Sequence, residues 1–359
     1  MIYLVKYCIK CTCPDSRPGI RFDENSVCEG CLYREKQEKI DWNARWQELE
    51  AFVKKKKTYF SKYDVVIAVS GGKDSHLLVH IFKEKLGLNP LLVCVSDNMT
   101  MTKAGVHNLN NISKEFDCDL FIYKMKPKTQ AKIMRYTTEN YGKPLYIIDR
   151  LIYTVPVWMA IMERIPIVVY GENVAVTRGL KDNRDIPEAW NQMYNSVGSD
   201  IPIEEIQKEC NISERDISMA QFPTKFSENV TTPIYTSYFV KWDGYENYLF
   251  AKSRGFQTLE DIWDTRWGGN IPYWQIDSYG YICAFDFKFA KLGHSGLTDI
   301  VCELIRGNHM TKEEGTKIIK EWDGIPDFIA VKDFCEFVGY TESEYFEILN
   351  KIKEGNYKR

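Results

Sequence analysis

Four short apolar runs punctuate the chain: Val65–Val69, Leu91–Ser96, Leu120–Tyr123 and Ile167–Tyr170. They are rich in β-branched side chains and do not alternate with polar ones. That is how a strand buried on both faces of a parallel sheet reads. Between them lie longer stretches of helical character, from Ser75 to a C′-type glycine at Gly87, over Lys103–Phe116, over Lys128–Tyr141, and over Arg150–Arg164 with a break or kink at Pro156. Strands alternating with helices predict an α/β fold built on a doubly wound parallel sheet.

The flanks read differently. Glu35–Lys62 is polar and helix-prone, with Trp42, Trp46, Leu49 and Phe52 on one stripe, and predicts a linking helix. The basic run Lys54–Lys57 reads as its solvated end. From Val174 to Thr232 no period stands out; Arg178, Lys181, Arg184 and Asp185 fall in a loop that either clamps phosphates or is plain surface. The last third is aromatic-rich, with Trp242, Tyr245, Tyr248, Trp263, Trp267, Trp274 and Tyr279, which suits either sugar-binding faces or an aromatic core. Thr311-x-x-Glu314 and Thr341-x-x-Glu344 are capping boxes, so helices are expected there. The expected units are 1–35, 36–62, 63–232 and 233–359.

Composition narrows the class. The 359 residues carry a net charge of only −3, which argues against a large sequence-independent nucleic-acid footprint. No apolar run is long enough to cross a bilayer, and the first residues lack the charge order of a signal peptide. A cytoplasmic protein is expected, with its 11 cysteines as thiols or metal ligands.

Four of those cysteines form two pairs, Cys8-x2-Cys11 and Cys28-x2-Cys31, with Pro14, Pro18 and Gly19 between them. This spacing predicts a ribbon around tetrahedral Zn²⁺ in a closed structural site. Cys13 is left over, either packed nearby or able to replace a ligand.

The chemistry centres on the end of the first apolar run, Ser70-Gly71-Gly72-Lys73-Asp74-Ser75. The glycines allow positive φ and close backbone approach. A strand, a glycine turn and a helix start leave successive N–H groups aimed at one spot, which makes an anion site. The spacing is neither that of G-x-x-x-x-G-K-[ST] nor that of G-x-G-x-x-G. It resembles the SGGxDS signature of the PP-loop ATP pyrophosphatases, which implies ATP as cofactor and attack at its α-phosphate. Two more strand ends face the same crevice. Asp97-Asn98 follows the second run, and Asp97 suits the ribose or adenine end of ATP. Gly171-Glu172-Asn173 follows the fourth, and Glu172 and Asn173 suit either Mg²⁺ or the α-phosphate.

Taken together, the cysteine pairs with Pro18-Gly19-Ile20, the Ser70–Ser75 loop, Tyr170-Gly171-Glu172-Asn173, Trp242-Asp243-Gly244-Tyr245, Thr298-Asp299, Glu303-x-Ile305-Arg306 and Thr311-Lys312-Glu313-Glu314 resemble the N-acetyl sugar amidotransferases along nearly the whole chain. Lys291-Leu292-Gly293-His294-Ser295-Gly296 departs from the glycine- and arginine-containing run expected there. The resemblance implies conversion of a sugar acetamido group to an acetamidino group in bacterial surface-glycan synthesis. ATP is cleaved to AMP and pyrophosphate, and the intermediate is an O-adenylyl imidate. It implies that Ser70, Gly71, Gly72, Asp74 and Ser75 cradle pyrophosphate and Lys73 adds charge, with Lys73, Asp74, Glu172 and Asn173 as the catalytic set and Gly171 beside the nucleotide. The acceptor is either a nucleotide-linked N-acetylhexosamine or a nine-carbon diacetamido acid such as pseudaminic or legionaminic acid. No Gly-x-Cys-x-Gly elbow occurs, residue 2 is Ile2, Cys94 lies in an apolar run and Cys302 in a helix. A separate source of ammonia is expected, and the resemblance implies that it is a glutaminase with a cyclase-like subunit. The alternatives are a tRNA sulfur-insertion enzyme, which also joins PP-loops to cysteine knuckles, and a module that holds nucleotide without chemistry.

Overall fold

The computed structural model describes residues 5–56, 61–179, 185–190, 200–223, 230–259 and 266–358. Lys57, Lys181, Arg184 and Trp263 lie outside these.

The described residues build one five-stranded sheet in the order β3-β2-β1-β4-β5, where β1 is Val65–Ala68, β2 Pro90–Ser96, β3 Asp119–Lys124, β4 Ile167–Tyr170 and β5 Thr232–Tyr235. Every pairing is parallel, with Val66 opposite both Leu91 and Val168. The chain reverses direction across the sheet at β1, so the crevice at the carboxyl ends of β1 and β4 is the switch point where such sheets bind ligands. Strand periodicity sorts the side chains. Val66 and Val168 join one core, with the helix Tyr146–Met162, and Val65, Ile67, Ile167 and Val169 join a second, with Leu49, Leu78 and Ile112.

Four strands stand where the apolar runs are, but β3 is not buried on both faces: it is an edge strand with Phe121 and Ile122 exposed. The helix after the glycine turn runs Lys73–Val79 and continues as π-helical turns over His80–Lys85, and Gly87 follows at φ 64°. The helix through Pro156 is unbroken and starts earlier than expected, at Tyr146. The linking helix is two, Glu29–Gln37 and Trp42–Lys56. Asp41 Oδ1 accepts from the N–H groups of Asn43 and Ala44, which starts the second helix, and Trp42 Nε1 donates to the Gln37 carbonyl at the end of the first.

The strand β5 was hidden. Pro233 lies inside it, and proline normally demotes a run from strand. It is tolerated because, among the described residues, β5 is flanked on its outer side only by a bridge between Glu188 and Ile234.

The remainder of the chain is mainly helical, with helices Gly244–Ser253, Cys283–Leu292, Gly296–Arg306, Lys312–Trp322, Phe328–Val338 and Glu342–Lys353. Both capping boxes form, with Glu314 and Glu344 returning to the N–H groups of Thr311 and Thr341. Most of the aromatic side chains are core: Trp267, Trp274 and Phe285 stack on one another, and Tyr248 lies on Tyr273 with centroids 4.2 Å apart. No helix among the described residues is long and apolar enough to cross a membrane.

Candidate functional site

The loop Ser70–Ser75 is braced by its own side chains. Ser75 Oγ accepts from the Ser70 N–H at 3.0 Å, and Ser70 Oγ accepts from the Gly72 N–H at 3.2 Å. Gly71 has φ 89°, and a Cβ there would come within 2.7 Å of the Leu109 backbone nitrogen. Only glycine fits that position. Gly72 begins the following helix with no side-chain cap, so the first-turn N–H groups are left for a ligand.

The next two residues point along the crevice. Lys73 is 7% exposed and its ammonium donates to Asp74 Oδ2 at 2.5 Å. Asp74 Oδ1 accepts from Asn247 Nδ2 at 2.7 Å. Asn247 belongs to the helix Gly244–Ser253, which Asp243 caps by accepting from the N–H groups of Tyr245 and Glu246. The Trp242-Asp243-Gly244-Tyr245 segment thereby lies across the loop. A Cβ on Gly244 would be 3.6 Å from Lys73 Nζ, and the Trp242 ring edge lies 3.1 Å from where a Gly171 Cβ would be.

On the β4 side, Glu172 sits among Glu303, Arg178, Thr177 and Asp74, and burial, then the Glu303 charge, push its carboxyl up to about 7. Asn173 Oδ1 accepts from the Ala175 N–H at 3.2 Å and its own N–H donates to Ser237 Oγ at 2.9 Å. The Asn173 side-chain oxygen is thus spent on capping the short helix Val174–Thr177. Asp97, at the end of β2, is buried; its Oδ1 accepts from the Met99 N–H at 3.0 Å and its Oδ2 from Ser278 Oγ at 2.5 Å. Burial pushes its carboxyl up. It is tied to the C-terminal segment rather than standing in open crevice.

Two groups escaped the sequence reading. One is Asn247; Asp243, a capping residue type just before Gly244, could have located its helix, but not what the helix touches. The other is Asp277, half-buried beside Ser70 and pushed up to about 7, chiefly by burial and then by Asp97. Nothing in the local pattern around Asp277 signals it.

The four ribbon cysteines converge, with all four sulfurs within 4.8 Å of one another. Cys8 and Cys31 sulfurs are 3.8 Å apart, Cys11 and Cys28 3.5 Å. Zinc–thiolate bonds of about 2.3 Å at tetrahedral angles need sulfurs roughly 3.8 Å apart, so this donor set fits Zn²⁺. Backbone N–H groups of Lys10 and Cys28 point at Cys8 Sγ at 3.4 and 3.3 Å. Arg306 Nη2 donates to the sulfurs of Cys11 and Cys28 at 3.4 and 3.5 Å. Such contacts orient and charge-balance thiolate ligands. Cys13 stands outside the four, packed with Cys302.

An ionic knot ties ribbon, crevice and C-terminal helices together. Buried Asp299 pairs with Arg17, with Lys288 at 2.5 Å and with Arg178 at 3.1 Å, and Arg178 Nε reaches Glu303 at 2.7 Å. The three cations hold the Asp299 carboxyl well below the usual range despite its burial. His294 is buried beside this knot, and burial pushes it down to about 4. Its Nδ1 lies 3.3 Å from Ser16 Oγ.

Comparisons with known proteins add three findings. Residues 279–358 match the model of the C-terminal domain of WbpG-like LPS biosynthesis proteins. An uncharacterised protein of Methanocaldococcus jannaschii, MJ1599, is 36% identical over 107 residues, 29% of this chain. The chain spans about a third of that relative's length, 36%. Among solved structures, the NH3-dependent NAD synthetase from Campylobacter jejuni in complex with the nitrate ion aligns over 61% of this chain and 98% of its own, at 15% identity and a TM-score of 0.31.

Proposed function

We propose that this chain is an ATP-dependent amidotransferase that converts the acetamido group of an N-acetylated sugar to an acetamidino group in the synthesis of a bacterial surface glycan. One observation carries it: the phosphate loop is closed by the Trp242–Tyr245 segment, with Asn247 on Asp74 and Gly244 against Lys73. That closure brings the superfamily-level loop motif together with Trp242–Tyr245, one of the segments that narrow the resemblance. The match of residues 279–358 to an LPS biosynthesis domain supports the glycan assignment. The units 1–35, 36–62, 63–232 and 233–359 then serve as zinc ribbon, linker, nucleotide domain and substrate region.

An amide oxygen is a poor leaving group. Its attack on the α-phosphorus of ATP forms a P–O bond, breaks the bond to the bridging oxygen and releases pyrophosphate. Ammonia adds to the imidate carbon, a proton departs, and the C–O bond breaks with the oxygen leaving on AMP. The amide has exchanged oxygen for N–H. The protein's part is to position these groups and to neutralise charge. Loop N–H groups of Ser70–Ser75 hold the pyrophosphate, and Lys73, steadied by Asp74, meets the charge that grows as it leaves. Glu172 and the Asn173 amide serve the α-phosphate side, Gly171 lets the Trp242 ring pack over the end of β4 beside the nucleotide, and Asp97 serves the ribose side. Mg²⁺, when bound, neutralises the phosphate oxygens. Ammonia comes from a separate glutaminase with a cyclase-like subunit, in the cytoplasm.

The test is incubation with ATP, Mg²⁺, ammonium and candidate N-acetyl sugars, read by mass spectrometry. The expected result is AMP, pyrophosphate and a sugar in which N–H replaces oxygen. ADP with phosphate, or turnover stimulated by tRNA with no sugar product, would overturn the reading.

A further inference from the structure

Two cavities outside the phosphate loop share a wall. The outer is an open bowl of about 800 Å³ between the cysteine ribbon, which contributes Cys11 and Cys31, and the start of the helix Lys312–Trp322. The inner is a chamber of about 50 Å³. Arg34, Arg306 and His309 line both. Between them they make a polar partition. Arg34 Nη2 lies 2.8 Å from Asp243 Oδ2 and His309 Nε2 3.0 Å from Asp243 Oδ1. Arg306 is held from the other side by the sulfurs of Cys11 and Cys28, and its buried Nε and Nη1 have no hydrogen-bond partner.

One wall of the inner chamber backs onto the Ser70–Ser75 loop. Glu172 and Gly244 line it, and Gly244 is the glycine that abuts Lys73 Nζ. Its size and lining restrict its guest. A water-sized molecule needs roughly 10–15 Å³ of such space, so a sugar ring has no room here and one or two small molecules do. The walls offer acceptors in Glu172 and Glu303 and donors in Tyr33 and Arg306. Ammonia carries three N–H donors and one lone pair, and needs both kinds. The partition sets Arg34 and Arg306 beside Asp243, and the chamber behind it adds the carboxyls of Glu172 and Glu303.

We propose that the bowl, the Arg34–Arg306–His309 partition and the chamber behind it form the inlet through which ammonia reaches the adenylated substrate. This rests on the ammonia-dependent function above. The ribbon then has a role beyond its own fold, because the cysteine cluster, with Arg306 hung on its sulfurs, builds one side of the partition.

Two variants test it, each read by sugar-dependent ATP–pyrophosphate exchange, which reports adenylation alone, and by ammonium-dependent amidine formation. Leu304→Trp fills the chamber. The exchange is expected to stay near the wild-type rate while amidine formation falls by about tenfold or more. Tyr33→Ala widens the chamber from a half-buried position. It is expected to accept methylamine in place of ammonia and yield a product heavier by one CH₂, which the wild type forms far more slowly. Loss of exchange in Leu304→Trp would mean the plug has distorted the loop, and the methylamine comparison then decides. Normal exchange with unchanged amidine formation in Leu304→Trp, and no gain with methylamine in Tyr33→Ala, overturns the inlet alone. Absence of sugar-dependent exchange in the wild type overturns the function and the inlet together.

Discussion

Asn247 Nδ2 donates to Asp74 Oδ1 at 2.7 Å, across 173 residues of sequence. The carboxylate that steadies Lys73 is thereby held by the C-terminal third, so the Ser70–Ser75 loop is set by a helix from outside the sheet region. Asn247 is buried, and removing its amide leaves Asp74 Oδ1 short of a donor. A lost hydrogen bond to a charged group costs about 1.5–3 kcal/mol. Asn247→Ala is expected to slow AMP formation at saturating sugar by about tenfold or more with its melting temperature nearly kept, since Asp74 is half-exposed and can regain water. Unchanged AMP formation would show that Asp74 needs no fixed orientation.

The cysteine cluster makes a prediction about stoichiometry. Cys8, Cys11, Cys28 and Cys31 converge while Cys13 does not. One Zn²⁺ per chain is expected by elemental analysis, retained in Cys13→Ser and lost in Cys28→Ser. A structural zinc site supplies much of the folding free energy of a small ribbon. Cys28→Ser, or exhaustive chelation, should therefore loosen residues near 8–31 and, through Arg306, the partition of the proposed inlet. Protease cleavage within the ribbon reads the first effect. Zinc loss in Cys13→Ser would mean that the ligand set is different.

What could be read from the chain divides along physical lines. Local signals transferred well. β-branched runs marked β1, β2 and β4, two glycines after β1 marked the loop, and Thr311 with Glu314 marked a capping box that forms. Signals that depend on who the neighbour is did not. Leu120–Tyr123 has the composition of an inner strand but lies at an edge, and β5 hides behind Pro233. Asn173 was legible as a crevice residue, yet its oxygen caps the next helix. Asn247 and Asp277 reach the site only when the last third folds over the loop, and no period in the sequence encodes that closure.

A pH dependence follows from the buried acids. Burial raises Asp149, Asp277, Asp286 and Glu172 to about 7 each. Unfolded aspartate and glutamate titrate near 3.9 and 4.3. Between those values and 7 the folded chain binds more protons than the unfolded one, so stability falls as pH rises. His294 works the other way: it is pushed down to about 4, against about 6.5 unfolded, so stability gains as pH rises through that span. Burial also pushes His76 down and Asp97 up, so two histidines oppose five carboxyls. The nucleotide-free protein is expected to melt at a higher temperature at pH 5.5 than at pH 7.5. Asp277→Asn, which fixes the neutral form, should flatten part of that slope. A protein equally stable at both values, in wild type and variant alike, would show that these carboxyls are ionised in the fold.

The two loop glycines are not equivalent, and that separates folding from function. At Gly71, φ is 89° and a Cβ would lie 2.7 Å from the Leu109 nitrogen and 2.8 Å from its Cα. Backbone atoms in the middle of the helix Lys103–Glu115 cannot move aside cheaply. An L-residue there also sits in the left-handed region, at a further cost of about 1 kcal/mol. At Gly72, φ is −67° and the nearest atom to a Cβ is Ser70 Oγ at 3.1 Å, the free end of a small side chain. Gly71→Ala is expected to lower the melting temperature by several degrees and to abolish AMP formation. Gly72→Ala is expected to keep the melting temperature and to lose activity in part, because a Cβ pressing on Ser70 Oγ disturbs the brace that presents the loop N–H groups. Calorimetry and an AMP assay on the same preparations decide. Equal melting temperatures for the two variants would mean that the loop is not packed on the Lys103–Glu115 helix, and full activity in both would mean that the loop does not grip phosphate.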